Sequence, residues 1–358
     1  MRGEVNSMSA KWKVAIIGPG GIASGAHIPH YMSDPRTEVV AVCSYTEETA
    51  LSAAKAFDIK NSFTDVDDML KTIEPDLVSV CNPNAFHHDA VVKSLKAGCH
   101  VLCEKPPATS PLEAMEMERT AKETGKHLLY AFNHRHNLET KVLKRAIESG
   151  ELGTIYHMNV TAMRRRGIPG WGVFTNKELQ GGGPLIDIGV HMLDLAMYLS
   201  GFPKPVEVMG ATHQRLGKKP GVGLLGNWDP QDYTVEDLAT GMIRFEHGLT
   251  MNLTASYAAN IRKDEHLNVE LLGDKGGAET DPFTIYQEKY GSLFNMEPAY
   301  LEQTDTRDSY ERQIVHFLDV VDKKTRPIIT PGQGTMIQQI VEALYTSAKS
   351  RQVVRLSE

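Results

Sequence analysis

The chain has 358 residues, of which 41% are hydrophobic and 23% are charged, and its formal net charge is −7 at pH 7. This length predicts two domains, and the negative charge argues against a general nucleic-acid or anionic-membrane surface. The first residues show no apolar core of a signal peptide, and no apolar run is long enough to span a bilayer, so a cytoplasmic location is predicted.

The most informative local pattern is the run 13–23, in which an apolar strand leads into a glycine cluster and then into a helical pattern. Gly18 allows a tight turn, Gly20 lets the backbone approach a pyrophosphate, and Ala23 lets the helix pack closely on its strand. The strand before and the helix after favour a dinucleotide site over a plain turn. The same turn contains Pro19, Gly21 and Ile22.

Up to about residue 133 the chain alternates strands with helices. The predicted strands after the first are 39–43, 76–80, 100–103 and 127–131. The predicted helices are 21–32, 46–57, 66–72, 85–97 and 110–124. This alternation predicts right-handed βαβ units and an α/β domain with a parallel sheet. All four cysteines fall in this part without forming a C-x-x-C pair, so they are expected to be buried and reduced.

Beyond a helix at 138–149 the pattern changes to strands with short connections. The predicted strands are 155–163, 206–215, 238–245, 249–257 and 267–272, which favour an antiparallel sheet. Further helices are predicted at 185–199, 310–323 and 332–350. The loop-rich run 218–231 fits a mobile surface insertion.

Lys105 follows the strand 100–103, at the sheet edge where open α/β sheets bind ligands. Pro106 constrains the local backbone path, and burial near a cofactor would suit the ammonium group to proton transfer. A solvent-exposed lysine paired with Glu104 is equally consistent with this position.

Asp187, His191 and Asp194 are separated by four and three residues, which places them on one face of a helix. Histidine suits acid–base chemistry near neutral pH, and a carboxylate one turn away can orient its imidazole. A salt-bridged helix surface and an incomplete metal site are the alternatives. The glycines at 181–183 favour a pocket, and no bound metal is expected.

Weaker candidates surround these residues. Asn133, Arg135 and His136 follow a strand of the first domain and could line the same cleft. Trp171 and Trp228 lie in loops, where they either form a wall of a sugar pocket or pack on the core. We expect the substrate contacts to be Asn133, Arg135 and Trp171, together with Asp187 and His191.

Taken together, the motifs resemble the glucose–fructose oxidoreductase / inositol dehydrogenase (Gfo/Idh/MocA) family. The resemblance is carried by the glycine turn, by Cys81-Asn82-Pro83-Asn84 with His87, by Glu104-Lys105-Pro106, and by the Gly-Gly-Gly-x-Leu-x-Asp-x-Gly-x-His-x-x-Asp run at 181–194. It implies a Rossmann NAD(P)-binding domain over 1–133. A C-terminal α+β domain with an open-faced, mainly antiparallel sheet would follow over 134–358 and form dimer or tetramer contacts.

The resemblance also implies an NAD(P)-dependent oxidoreductase acting on a secondary alcohol of a sugar, inositol or related polyol. In this interpretation Lys105, Asp187 and His191 carry the chemistry. His191 would take the hydroxyl proton, Asp187 would orient the imidazole, and Lys105 would stabilise the developing alkoxide. The cofactor would contact residues of these motifs and of the second strand end: Gly18 to Ala23, Ser44, Tyr45, Asn82, Pro83, Asn84, His87, Glu104 and Lys105.

Ser44 occupies the place where NAD-preferring folds carry an acidic residue that binds the ribose hydroxyls. Nothing there repels a 2′-phosphate, and no arginine is present to bind one. Both NAD and NADP are therefore expected to be used, with a slight preference for NADP.

Two other functions fit the same fold. One is an NAD-dependent glycosidase, in which a transient oxidation enables elimination of the glycosidic group. The other is a non-enzymatic sugar-sensing regulator, against which the presence of Lys105 argues.

Overall fold

The computed structural model describes residues 11–301 and 305–356, and within them the strands form two sheets of six and nine. The six-stranded sheet is parallel, with the strand order β3-β2-β1-β4-β5-β6. Its strands are β1 (Trp12–Ile17), β2 (Thr37–Cys43), β3 (Asn61–Phe63), β4 (Leu77–Val80), β5 (His100–Cys103) and β6 (Leu128–Tyr130). The predicted α/β organisation is confirmed, and only the short, half-buried β3 was missed.

Five helices connect these strands: α1 (Ile28–Ser33), α2 (Glu47–Ala56), α3 (Val66–Ile73), α4 (His87–Lys96) and α5 (Pro111–Thr124). Side chains cap the N-termini of α2, α3 and α5. Asp65 accepts a hydrogen bond from the Asp68 amide, and Ser110 forms a capping box with Glu113. The helix predicted from residue 21 begins with a π-helical turn (Ala23–His27), whose i→i+5 bonds widen it ahead of α1.

The nine-stranded sheet has the order β14-β13-β12-β11-β7-β10-β9-β8-β15. Its strands are β7 (Ile155–Arg164), β8 (Pro205–His213), β9 (Leu238–Phe245), β10 (Thr250–Ser256), β11 (Glu265–Gly273), β12 (Gly276–Thr280), β13 (Phe283–Lys289), β14 (Ser292–Met296) and β15 (Val354–Arg355). Neighbouring described strands are antiparallel except β7 and β10, which lie parallel and are separated in the chain by two helices and two strands. The mainly antiparallel sheet is confirmed, and β12 to β15 were missed.

The remaining helices are α6 (Leu138–Glu148), the four-residue α7 (Lys177–Gln180), α8 (Val190–Ser200), α9 (Ser309–Val321) and α10 (Pro331–Ser350). A second π-helical turn (Leu185–Gly189) leads into α8. Short 3-10 turns occur at Asn84–Phe86, Asn133–His136 and Glu246–Gly248. In the described part of the chain, no helix is both long and apolar enough to cross a membrane.

Helix α9 packs on the parallel sheet. Its Phe317 and Leu318 belong to the same buried cluster as Val14 and Ile16 of β1. The Trp12 indole also donates a hydrogen bond to Asp322 just after α9 (3.0 Å). A late segment thus completes the core of the first sheet, and the domain division at residue 133 remains a prediction.

The four cysteines are free thiols. Cys43, Cys99 and Cys103 are buried, whereas Cys81 is half-buried. Burial raises the pKa of both Cys43 and Cys99 to about 11, so these two thiols stay protonated at neutral pH.

Candidate active site

A cleft of about 610 Å³ opens between the carboxyl edge of the parallel sheet and the nine-stranded sheet. The glycine turn, Ser44 and residues 81–84 line one end of it. Lys105 lines the same cleft from the end of β5, and Asp187 and His191 line it from the π-helical turn and the start of α8. The topology therefore brings together motifs that lie far apart in the sequence.

The glycine turn fits a dinucleotide phosphate. Gly18 has a φ of +80°, and a Cβ on it would lie 2.4 Å from the Asn82 amide nitrogen, so only glycine fits this close approach to the end of β4. A Cβ on Gly20 or Gly21 would meet nothing within 4 Å, which leaves open space in front of the first helical turn. Backbone amides at a helix N-terminus are suited to bind a phosphate placed there.

Lys105 is held by Asp187 rather than by Glu104. Its Nζ donates to Asp187 Oδ1 (2.7 Å) and to the Asp187 carbonyl oxygen (3.0 Å). The buried Tyr257 hydroxyl donates to Asp187 Oδ2 (2.8 Å). Burial alone would raise the pKa of Asp187, but the Lys105 ammonium and these hydrogen bonds hold it below its usual range. The result is an ionised carboxylate that fixes an ammonium group inside the cleft.

Glu104 has a different partner. Its Oε1 lies 2.9 Å from Nε2 of the buried His27, whose Nδ1 lies 2.6 Å from Ser79 Oγ. Burial alone would lower the pKa of His27, but Cys81 and Glu104 together raise it to about 10. An exposed Lys105–Glu104 pair is therefore excluded, and Glu104 instead accepts the Lys105 backbone amide (3.1 Å).

His191 does not pair with Asp187, contrary to the prediction that the carboxylate orients the imidazole. Lys105 and Tyr257 occupy both oxygens of Asp187, and the π-helical turn that carries Asp187 breaks the i, i+4 alignment with His191. His191 Nδ1 is buried without a hydrogen-bond partner among the described residues. Burial, Lys105, His134 and Arg164 lower the pKa of His191 well below 6.5, so its imidazole is neutral at pH 7.

Arg135 does not line the cleft and is not a substrate contact. Its guanidinium group is fully buried and forms two hydrogen bonds to Asp194, of 2.8 and 2.6 Å. Asp194 is thereby also removed from the predicted Asp187–His191 face. The 3-10 turn Asn133–His136 has about 3 residues per turn, so its four side chains do not all lie on one side. Asn133 and His134 consequently face the cleft, whereas Arg135 and His136 do not.

His134 is a cleft residue that the sequence patterns did not predict. Its ring lies edge-on to the His191 ring, with 5.2 Å between the centroids. Burial and the nearby Lys105 ammonium lower the pKa of His134 to about 4, so it too is neutral at pH 7. Nothing in the local sequence distinguishes His134 from the histidine two residues later, because the distinction depends on which side of the turn faces the second sheet.

The other predicted residues divide between the cleft and its support. Asn82, Pro83 and Asn84 line the cleft. His87 supports this segment, because one of its ring nitrogens lies 2.8 Å from the Asn82 carbonyl oxygen and the other lies 2.8 Å from the Pro106 carbonyl oxygen. Tyr45 is 95% exposed and is not among the residues that line the cleft, so its cofactor contact stays a prediction. Trp171 lines the cleft, whereas Trp228 packs on the core.

The described residues contain no cluster of three or more histidine, cysteine or acidic side chains arranged to hold a metal ion.

Family models match both halves of the chain. The model of the Gfo/Idh/MocA oxidoreductase family, with an NAD-binding Rossmann fold, matches residues 12–132. The model of the Gfo/Idh/MocA C-terminal domain matches residues 140–279.

Known proteins resemble the chain at two levels. D-glucoside 3-dehydrogenase of Escherichia coli strain K12 is 44% identical over 348 residues, which cover 97% of this chain and 98% of that protein. Glucose-6-phosphate 3-dehydrogenase of Bacillus subtilis strain 168 is 34% identical over 192 residues, 52% of this chain and 53% of that protein. The crystal structure of an oxidoreductase domain protein from Kribbella flavida has the same fold, with a TM-score of 0.86 at 23% identity over 98% of this chain and 100% of that one.

Proposed function

Because the chain belongs to the Gfo/Idh/MocA family of oxidoreductases, we propose that it oxidises the 3-hydroxyl group of a D-glucoside with NAD or NADP. That it is a dehydrogenase acting on CH–OH groups of a sugar or polyol follows from its family and from its 44% identity to a D-glucoside 3-dehydrogenase. The observation that carries the proposal is the convergence of Lys105 and His191 on the cleft that the glycine turn also lines.

Lys105 is suited to bind the reacting oxygen. An ammonium group has three N–H donors, and two of them are directed at Asp187 Oδ1 and the Asp187 carbonyl. The third is left for the substrate hydroxyl, where it would stabilise the negative charge that develops on oxygen. Tyr257 supports this role because its hydrogen bond keeps the Asp187 carboxylate in place.

His191 is suited to accept the hydroxyl proton. A neutral imidazole has one ring nitrogen with a free lone pair, and the lowered pKa of His191 keeps it in this form at neutral pH. Bound NAD or NADP supplies the hydride acceptor. The proton thus moves from the substrate oxygen to His191 while Lys105 holds that oxygen, and the products are the 3-keto sugar, the reduced cofactor and a protonated histidine.

The pH dependence of oxidation tests the role of His191. A base must be deprotonated to act, so kcat/KM is expected to rise with pH and to reach its plateau below about pH 6.5, since the pKa of His191 lies under the ordinary histidine value. His191→Gln is expected to remove this acidic limb and to lower kcat, whereas His213→Gln, at an exposed position, keeps the wild-type profile. If kcat/KM of His191→Gln still rises with pH in the same range, another group accepts the hydroxyl proton.

Ser44 is proposed to set the choice of cofactor. It lines the cleft with Thr49 near the glycine turn, and neither side chain repels a 2′-phosphate. Ser44→Asp is expected to lower kcat/KM for NADP at least about 100-fold, because placing two negative groups together costs several kcal/mol and each 1.4 kcal/mol is about tenfold. NAD should be used equally well or better.

The control for Ser44→Asp is Ser52→Asp, which adds the same charge at an exposed position on α2. If both variants keep the wild-type NADP-to-NAD ratio, Ser44 does not face the ribose. The preference for NADP over NAD remains a prediction that the same kinetics decide.

The activity itself is tested with the purified protein, both cofactors and a panel of methyl D-glucosides, free glucose, glucose 6-phosphate and inositols. We expect reduced cofactor and a 3-keto glucoside, identified by mass spectrometry and NMR. Oxidation of inositols alone would overturn the choice of substrate. Cleavage of a nitrophenyl glucoside without net cofactor reduction would indicate the glycosidase instead, and binding without any turnover would indicate the regulator.

A further inference from the structure

Trp171 lies at the outer wall of the cleft, far more exposed than the residues at its inner end. Its side chain is 56% exposed, whereas Asp187 is 8% exposed. The Trp171 ring packs edge-on against Phe174, with 6.3 Å between the ring centroids, and both residues line the cleft that contains Lys105 and His191. The cleft thus runs from a polar, buried end to an aromatic, open end.

The loop that carries Trp171 is fastened from behind. The Gly170 amide donates to the Leu225 carbonyl (2.8 Å), and the Leu224 amide donates to the Arg166 carbonyl (2.8 Å). A Cβ on Gly170 would lie 2.6 Å from the Asn227 backbone, so the two loops touch through their main chains. The segment 217–231, which we name the strap, therefore supports the Trp171 loop.

The strap, which includes the run 218–231 predicted to be a mobile insertion, is anchored by hydrogen bonds of its own. The Trp228 indole donates to the Gly217 carbonyl (2.7 Å) and closes the strap on itself. The buried Asp237 carboxylate accepts the Gly217 amide (2.9 Å) and the Arg215 amide (2.6 Å). An aromatic ring held in place before a ligand arrives loses little conformational freedom on binding, which favours affinity.

We propose that Trp171 and Phe174 form an outer subsite for the aglycone of a glucoside, and specifically for an uncharged, ring-bearing aglycone such as an aryl group or a second sugar ring. This inference rests on the proposed function. When the 3-hydroxyl lies at Lys105, the substituent on carbon 1 projects away from it, toward the open end of the cleft. A flat ring there can bury its apolar face on the indole.

The charges that line the same cleft support an uncharged occupant. Arg164 and Glu265 both line this cleft and form an ion pair of 2.9 Å, so their charges compensate each other. Their remaining polar atoms can bind hydroxyl groups of a second sugar, whereas a phosphate would find the guanidinium already paired. The subsite thus favours glucosides over sugar phosphates.

The test compares phenyl β-D-glucoside and cellobiose with methyl β-D-glucoside in the wild type, Trp171→Ala and Trp171→Phe. In the wild type we expect kcat/KM to be higher for the two ring-bearing glucosides. In Trp171→Ala this preference is expected to fall about tenfold, chiefly through KM, and in Trp171→Phe most of it should remain. Tyr290→Ala, which removes an exposed aromatic residue in the β13–β14 turn, is the matched control and keeps the preference.

Calorimetry on the NADH-loaded protein separates this inference from the proposed function. If glucosides are oxidised with the same preference in the wild type and in Trp171→Ala, the subsite is overturned while the function stands. If no glucoside is oxidised but phenyl β-D-glucoside binds more tightly than the methyl glucoside, and Trp171→Ala removes the difference, the function fails while the subsite stands. If neither glucoside binds, both are overturned.

Discussion

Replacing Lys105 with methionine is expected to lower kcat for alcohol oxidation at least about 100-fold, the lower end of what a positioned proton-transfer or charge-stabilising group contributes. Methionine keeps much of the side-chain volume but removes the N–H donor that we propose binds the substrate oxygen. Cofactor binding, measured as the Kd for NADH, should change little because the glycine turn is untouched. A kcat near the wild-type value would remove Lys105 from the mechanism.

A loss of folding could imitate this result, because the substitution leaves the Asp187 carboxylate buried without its cation. Removing one partner of a buried ion pair typically costs about 3–5 kcal/mol. The control is therefore Lys105→Met combined with Asp187→Asn, in which no charge is left unpaired. We expect the double variant to recover much of the lost thermal stability but none of the activity. Recovery of both would mean that Lys105 has only a structural role.

Replacing Asp194 with alanine is expected to lower the free energy of unfolding by about 3–5 kcal/mol, because it leaves the buried Arg135 guanidinium group without its carboxylate partner. Arg135 also donates to the Ile328 carbonyl and to Gln333, and its guanidinium lies 4.9 Å from the ring centroids of both Tyr198 and Phe202. No solvent reaches it to replace the lost carboxylate.

Urea denaturation measures the loss, and Asp89→Ala supplies the comparison. Asp89 pairs with Lys93 on the exposed face of α4, where such pairs contribute about 0–1 kcal/mol. If Asp194→Ala is no more destabilising than Asp89→Ala, the Arg135–Asp194 pair is not the structural contact described here.

The elements of the fold were predictable where local signals were strong. The glycine turn, the capping box at Ser110 and the end of a buried strand before Lys105 each carry their information within a few residues. The parallel pairing of β7 with β10 has no such local signal, because it depends on which strands become neighbours after the chain has passed through α8. Strand β14 was missed because it is largely exposed, and β13 was missed because its buried positions include the polar Thr284 and Gln287 and show no clear alternation of apolar residues.

The sequence patterns predict which residues belong to the site, but not which of them contact each other. Lys105, Asp187 and His191 do share one cleft. The prediction that Asp187 pairs with His191 assumed a regular helical spacing, and it was wrong. The correct partners are Lys105 and Tyr257, which are 82 and 70 residues away in the chain. Tyr257 follows a buried strand and carries no signal that its hydroxyl reaches a carboxylate. Such contacts are products of tertiary packing.

The position of α9 in the chain also determines when the core of the first sheet can be completed during translation. Val14 and Ile16 emerge from the ribosome long before Phe317 and Leu318, which belong to the same buried cluster. Until then the cluster lacks its α9 residues, and the apolar surface they bury is of the kind that chaperones bind. The core of the parallel sheet can therefore be completed only once translation has passed α9, although β1 to β6 are made long before it.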